Sequence, residues 1–171
     1  MATDEDERSV LEEAIGREAT DLVQALLLGG ADPNDKTADG TPLIVFAAGV
    51  AESEEVRLLL EHGADPNAPD EHGWTALHAA ADYIDWDMAE ELLEHGARTD
   101  ALWNGDSPID LARQEESSYG RPYVYRTDKD PERNESSRRI HDEIERKYHE
   151  GKSARSVSSF VEFLETWAER K

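Results

Sequence analysis

Histidines, carboxylates and aromatic rings are the side chains here that could bind a metal, move a proton or hold a cation. His62 and His95 are 95−62 = 33 residues apart, and nothing near either completes a ligand set. A structural zinc takes about four ligands at roughly 2 Å, whereas packed helices run about 8–10 Å apart. Both histidines follow Leu-Leu-Glu, where a helix would end, and there they favour the helix dipole rather than a metal. His141, Asp142 and Glu145 would cluster on one helix, with His149, Tyr119, Tyr123 and Tyr125 in the same part of the chain. That grouping suits acid–base chemistry, although solvated helices carry the same residue types. Gly151-Lys152-Ser153 matches the end of a phosphate loop, but position 146, where the pattern needs glycine, is Arg146. Asp32, Asp35 and Asp39 lack the spacing of a calcium loop. No Gly-x-Ser-x-Gly or His-Glu-x-x-His occurs, and without cysteine there is no thiol nucleophile and no disulfide. These readings predict no catalytic residue, no metal, no cofactor and no enzyme.

The elements that must position these groups recur along the chain. One phrase appears three times: Leu26-Leu27-Leu28-Gly29-Gly30-Ala31-Asp32-Pro33-Asn34, Leu59-Leu60-Glu61-His62-Gly63-Ala64-Asp65-Pro66-Asn67, and Leu92-Leu93-Glu94-His95-Gly96-Ala97-Arg98-Thr99-Asp100. Its glycines are spaced 63−30 = 33 and 96−63 = 33. A second phrase alternates with it, starting at Gly40-Thr41-Pro42-Leu43, Gly73-Trp74-Thr75-Ala76-Leu77-His78 and Gly105-Asp106-Ser107-Pro108-Ile109-Asp110, at 73−40 = 33 and 105−73 = 32. A fixed period in this range means stacked units that cannot bury their apolar faces alone, and such a stack presents a surface. Pro42 and Pro108 suit a first helical turn, where their missing N–H costs nothing. Thr75 and Ser107 suit N-caps, and Gly30, Gly63 and Gly96 suit the left-handed stop of a helix. Val56, Leu59 and Leu60 share one helical face, as do Val23, Leu26 and Leu27. The small pairs Ala47-Ala48 and Ala80-Ala81 let neighbouring helices approach closely.

The two phrases in alternation resemble the ankyrin repeat family over roughly residues 9–112. The resemblance implies an all-α ankyrin repeat solenoid of about four units, helix-turn-helix pairs with β-turn tips, followed by a helical C-terminal extension. Its divisions are an N-terminal capping repeat at 1–38, repeats at 39–71 and 72–103, a degenerate repeat with a loop insertion at 104–150, and an amphipathic helix at 151–171. By motif position His78 is the structural histidine that ties turns together, Asp32 and Asp65 belong to structural turns, and Trp86 replaces a buried leucine. Two departures stand out. Thr41-Pro42-Leu43 sits one residue early, which predicts an irregular helix start, and the fourth unit has Asp110 where the histidine belongs.

The first unit reads as a cap: Val10, Leu11, Ala14 and Ile15 form one stripe, and Leu22, Val23, Leu26 and Leu27 the next. After the repeats, Gln114 to Asp130 reads as a long loop. A helix after Pro131, with Ile140, Ile144 and Tyr148 in line, is the displaced second helix of the fourth unit, and Gly151-Lys152-Ser153 ends it. A last helix aligns Val157, Phe160, Val161, Leu164 and Trp167, with Ser159 and Glu162 at capping-box spacing. It either caps the open end of the stack or docks in a partner's groove. The aggregation hazard of exposed Phe160 and Trp167 favours the cap.

The net charge of −22 is unevenly placed: residues 1–112 hold 27 acidic and 5 basic residues, residues 113–171 hold 13 and 13. Such a field repels nucleic acid and anionic membranes and attracts basic partners. Adaptation to a salty cytoplasm is the other explanation, but it would acidify the tail as well. The acidic start, Met1 to Glu7, has the wrong sign for a signal peptide, and the apolar run Pro42 to Ala51 is too short to span a bilayer. These features predict a cytoplasmic protein, monomeric, with no direct nucleic-acid or membrane binding.

The resemblance further implies that a partner protein binds the concave side, made of turn tips and exposed first-helix positions. Those positions are Ala38, Asp39, Thr41, Gly49 and Val50; Glu71, His72, Trp74, Asp82 and Tyr83; and Trp103, Asn104 and Asp106. Stacking of the units predicts that Trp74 and Trp103 lie close together on adjacent tips. Aromatic rings among Asp39, Glu71, Asp82 and Asp106 suit a basic protein surface, through cation–π contact and charge.

Overall fold

The computed structural model describes residues 4–50, 53–119 and 157–169, which contain eight α-helices and no strand. They are α1 (Asp4–Gly16), α2 (Thr20–Leu28), α3 (Leu43–Val50), α4 (Ser53–Glu61), α5 (Ala76–Asp82), α6 (Trp86–Glu94), α7 (Pro108–Tyr119) and α8 (Val157–Glu169). The helices α1, α3, α5 and α7 pack in one row, and α2, α4 and α6 in a second. Each helix of the first row also packs on the helix that follows it. The core lies between the rows, where Leu43, Ile44, Leu59, Leu77 and Leu92 are all but fully buried. Each such side chain contributes roughly 1.5–3 kcal/mol relative to exposure. Ala47, Ala48, Ala80 and Ala81 are at most 2 % exposed, so their small size sets the close spacing of the first row.

Each second-row helix ends in the same way. Gly30, Gly63 and Gly96 have φ of 97°, 92° and 92°. Their N–H groups donate to Leu27, Leu60 and Leu93, and the next alanine N–H donates to Leu26, Leu59 and Leu92. This is the Schellman arrangement, which satisfies carbonyls that the helix end would strand. Between the rows, Glu18 (φ 54°) and Ile84 (φ 53°) turn the corner in the left-handed region, a strained choice for a β-branched residue.

The sequence expectations hold at some positions and fail at others. α3 starts at Leu43, in register with Ala76 at 76−43 = 33, so the early Thr41-Pro42-Leu43 does not displace the helix. Pro42 occupies the cap position, and Thr37 takes over the tying role: its hydroxyl oxygen accepts from the Thr41 N–H at 3.0 Å while its proton goes to Asp39. Val10 and Leu22, members of the two apolar stripes of the first unit, are 40 % and 46 % exposed. α7 continues to Tyr119, so residues 114–119 are helix rather than loop.

α8 packs on α7, burying Phe160, Val161 and Leu164. Its Phe160 and Phe163 rings meet half-buried Trp86 of α6 at 5.1 and 5.4 Å. α8 thus fills the second-helix place beside α7 that the sequence reading gives to a helix after Pro131. That helix, the break at 151–153, Tyr123, Tyr125, His141, Asp142, Glu145 and His149 lie outside the described residues. α8 begins at Val157, so Ser159 is inside the helix and not its cap.

Candidate functional site

Three tips precede the first-row helices α3, α5 and α7. In the first, the Thr37 N–H donates to the Thr41 carbonyl at 2.8 Å and the Gly40 N–H to the Thr37 carbonyl at 2.9 Å. The exposed Asp39 carboxylate accepts from the Thr37 hydroxyl and, at 3.2 Å, from the Thr41 N–H. These donors, the hydroxyl first, hold its pKa below the ordinary value. In the second tip, Asp70 accepts from the N–H groups of His72 and Trp74, both at 2.8 Å, leaving Glu71 and His72 exposed. The His72 ring stands 3.3 Å from the Glu71 carboxylate.

The third tip is one residue shorter. Trp103 and Asp106 exchange N–H···O bonds of 2.9 Å in both directions, and Asn104 (φ 51°) and Gly105 (φ 96°) make the two-residue turn. An Asn-Gly pair with both φ positive is the favoured hairpin turn. The deletion moves Trp103 to the base of its hairpin, the place of Asp70 (103−70 = 33), and not to the outer position of Glu71. Gly73 accommodates the close approach of the third tip: with φ 89°, a Cβ there would lie 2.9 Å from the Leu102 carbonyl oxygen.

Trp74 and Trp103 do meet, edge to face, with centroids 4.7 Å apart. Trp74 also stacks on His78 at 5.3 Å, and both indoles are half-buried. His78 is fully buried. Its Nδ1 accepts from the Thr75 N–H at 3.1 Å and lies 2.8 Å from the Thr75 hydroxyl, closing a capping box at the start of α5. With Nδ1 accepting, the proton sits on Nε2. Burial lowers the His78 pKa, and the Asp106 and Ala101 carbonyls of the next unit only partly offset this. At the start of α7, Asp110 makes the same box, accepting from the Ser107 N–H at 3.0 Å and the Ser107 hydroxyl at 2.6 Å. Asp110 therefore replaces the histidine's cap, and the Ser107 hydroxyl lowers its pKa.

Asp82 and Tyr83 lie at the other end of α5, about 10 Å away for seven helical residues. Tyr83 is 42 % exposed. Asp82 is half-buried, burial raises its pKa, and no hydrogen bond or ion pair among the described residues reaches it. Gly49 and Val50 are exposed at the corresponding end of α3. Ala38 is exposed on the first tip and Thr41 half-buried. The site residues thus fall into two groups: Glu71, His72, Trp74, Trp103, Asn104 and Asp106 on two adjacent tips, and Asp82 with Tyr83 at the helix end. Asp39 stands on the preceding tip.

His62 and His95 hold helix ends: each ring Nδ1 faces the carbonyl four residues back, Leu58 at 2.8 Å and Glu91 at 2.9 Å. No group of three metal-ligating side chains occurs among the described residues. Sequence reasoning misses the asparagines that lock the units together. Asn34 donates to the Gly63 carbonyl at 3.0 Å and accepts from the Asp65 N–H at 2.7 Å. Asn67 repeats this one unit on, with Gly96 at 3.1 Å and the Arg98 N–H at 2.8 Å. Their recurrence at 67−34 = 33 is the signal that could have exposed them.

No helix of the described residues is long and apolar enough to cross a membrane. No curated protein matches this chain. The family model for ankyrin repeats, in three copies, matches residues 11–102, more than half of the sequence. Ankyrin repeats are generally protein–protein interaction modules and typically non-catalytic. The stacked helix pairs, the recurring glycine stops and this match agree, and the chain belongs to the ankyrin repeat family.

Proposed function

We propose that this protein is a binding module that takes a basic partner protein on its concave face, formed by the turn tips and first-row helix ends. The observation that carries the reading is the half-buried Trp74–Trp103 pair set among acidic tips, on a region holding 27 acidic and 5 basic residues. The charge steers a basic partner and raises its association rate, and the indoles supply contact area and cation–π energy. The apolar side chains Phe160, Val161 and Leu164 of α8 are buried in the stack, which favours this reading over self-association through that helix. The same field suits an inhibitor, immunity or anti-defence protein, with carboxylates standing where phosphates would lie on a nucleic-acid-binding partner. Competition tests that role. Nucleic acid should displace the partner, and the association rate should fall steeply between about 0.05 and 0.5 M salt, as the Debye length shrinks. Binding indifferent to both would remove the charge-mimicry role.

A further inference from the structure

Asn104 and Gly105 make the turn of the third tip, and both are exposed. An asparagine followed by glycine can modify itself: the next residue's backbone nitrogen attacks the side-chain amide carbon, and glycine has no Cβ to stand in the way. Of Asn34, Asn67, Asn104 and Asn134, only Asn104 precedes a glycine. Hydrogen bonding sets it apart a second time. At Asn34 and Asn67 both reacting groups are occupied. Each side chain donates to a glycine carbonyl and accepts from an N–H of the next unit. The nitrogens that would attack, those of Asp35 and Ala68, donate to the Asp32 and Asp65 carbonyls at 3.2 Å. At the third tip neither group is held. Among the described residues no hydrogen bond reaches the Asn104 side chain or the Gly105 N–H. A Cβ built on Gly105 would meet nothing within 4 Å, so the approach is open. The two 2.9 Å bonds that pin the hairpin join Trp103 and Asp106 and leave residues 104 and 105 outside them.

We propose that Asn104 is a site of spontaneous deamidation, through a succinimide closed by the Gly105 nitrogen. That nitrogen gives its proton to hydroxide and bonds to the Asn104 Cγ, and the side-chain nitrogen, protonated by water, leaves as ammonia. Water then opens the five-membered ring. Breaking the new N–Cγ bond restores the chain with an aspartate side chain. Breaking the original peptide C–N bond leaves isoaspartate, with the backbone routed through Cβ and Cγ. Nothing is oxidised or reduced: one amide and one water become one carboxylic acid, which ionises, and one ammonia. Either product adds a negative charge beside Asp106. Isoaspartate also lengthens the two-residue turn by one methylene. The turn then no longer matches the paired Trp103–Asp106 bonds, and Trp103 loosens from Trp74, now 4.7 Å away. This chemistry does not depend on the concave-face reading, but it alters the charge and shape of that face as the protein ages.

The test incubates the full folded chain in mildly alkaline buffer and maps it by mass spectrometry, with isoaspartate read by enzymatic methylation. Asn34 and Asn67 are the internal references. Asn104→Gly is the control, since Gly-Gly also supports this turn and carries no side-chain amide. Asn104 should convert at least about tenfold faster than either reference, whose hydrogen bonds must break first. Tryptophan fluorescence of wild type should drift in step with isoaspartate. In Asn104→Gly the tip should take no methyl group and the fluorescence should stay constant. Conversion of Asn104 no faster than that of Asn34 or Asn67 would overturn the site. Conversion without a drift that Asn104→Gly lacks would overturn its effect on the tryptophan pair.

Discussion

Replacing Asn67 by alanine should loosen the stack by an amount that follows from its two bonds. The side chain donates to the Gly96 carbonyl at 3.1 Å and accepts from the Arg98 N–H at 2.8 Å, joining two units across 31 and 29 residues of sequence. A side-chain hydrogen bond contributes about 0.5–1.5 kcal/mol net, so the pair is worth about 1–3 kcal/mol. Asn67 is half-buried and Arg98 exposed, so water replaces part of what is lost, and the expected loss is about 1–2 kcal/mol. Asn67→Asp distinguishes the two bonds. It keeps the acceptor for Arg98 but sets a carboxylate oxygen against the Gly96 carbonyl, and should be worse than alanine. The chain itself places Asp100 at the equivalent position after α6, where its carboxylate accepts from the Arg98 guanidinium at 3.0 Å. Asn34→Ala, at an exposed site, should cost less, and the two alanine variants should add, being independent sites. Urea unfolding followed by circular dichroism reads these values. An Asn67→Ala variant within about 0.5 kcal/mol of wild type, or Asn67→Asp no worse than alanine, would refute the ladder.

Other expectations follow from single contacts. Phe160→Ala should destabilise by about 3–5 kcal/mol and free α8 to proteolysis, since Phe160 is fully buried against α7 and Trp86; a loss below about 1 kcal/mol would contradict that packing. Gly73→Ala should cost more than Gly105→Ala in the same assay. Both have positive φ, but only Gly73 meets a carbonyl at 2.9 Å, and equal costs would contradict the close approach of the tips. His78 has a folded pKa below the ordinary 6.5, so its contribution is complete above that pH and is lost as pH falls below it. An imidazole titration by NMR should therefore place His78 below 6.5, and a value above it would reverse the sign.

Much of this architecture is legible in the sequence because period, glycine stops and capping residues act locally. Gly30, Gly63 and Gly96 need the left-handed region whatever surrounds them, and Thr75 caps α5 with its own neighbour His78. What escapes is decided between units. Val10 and Leu22 obey the helical stripe yet are exposed, since burial depends on packing between units and not on the stripe alone. Trp86, expected in place of a buried leucine, is half-buried, and its contact with Phe160 and Phe163 needs knowledge that α8 lies beside α7. At the candidate site, the 33-residue period brings Trp74 to Trp103. The single deletion at 105−73 = 32 alters the tip, and its effect on Trp103 emerges only with the hairpin geometry.

The most direct test of the concave-face reading is a pull-down from lysate of the source organism, at low and high salt, with captured proteins identified by mass spectrometry. Wild type runs beside a Trp74→Ala, Tyr83→Ala, Trp103→Ala variant whose fold is first checked by circular dichroism. The account predicts a basic protein held by wild type at low salt, released at high salt, and lost with the variant. The same protein held equally by both chains would contradict it and move the binding surface away from these aromatic positions.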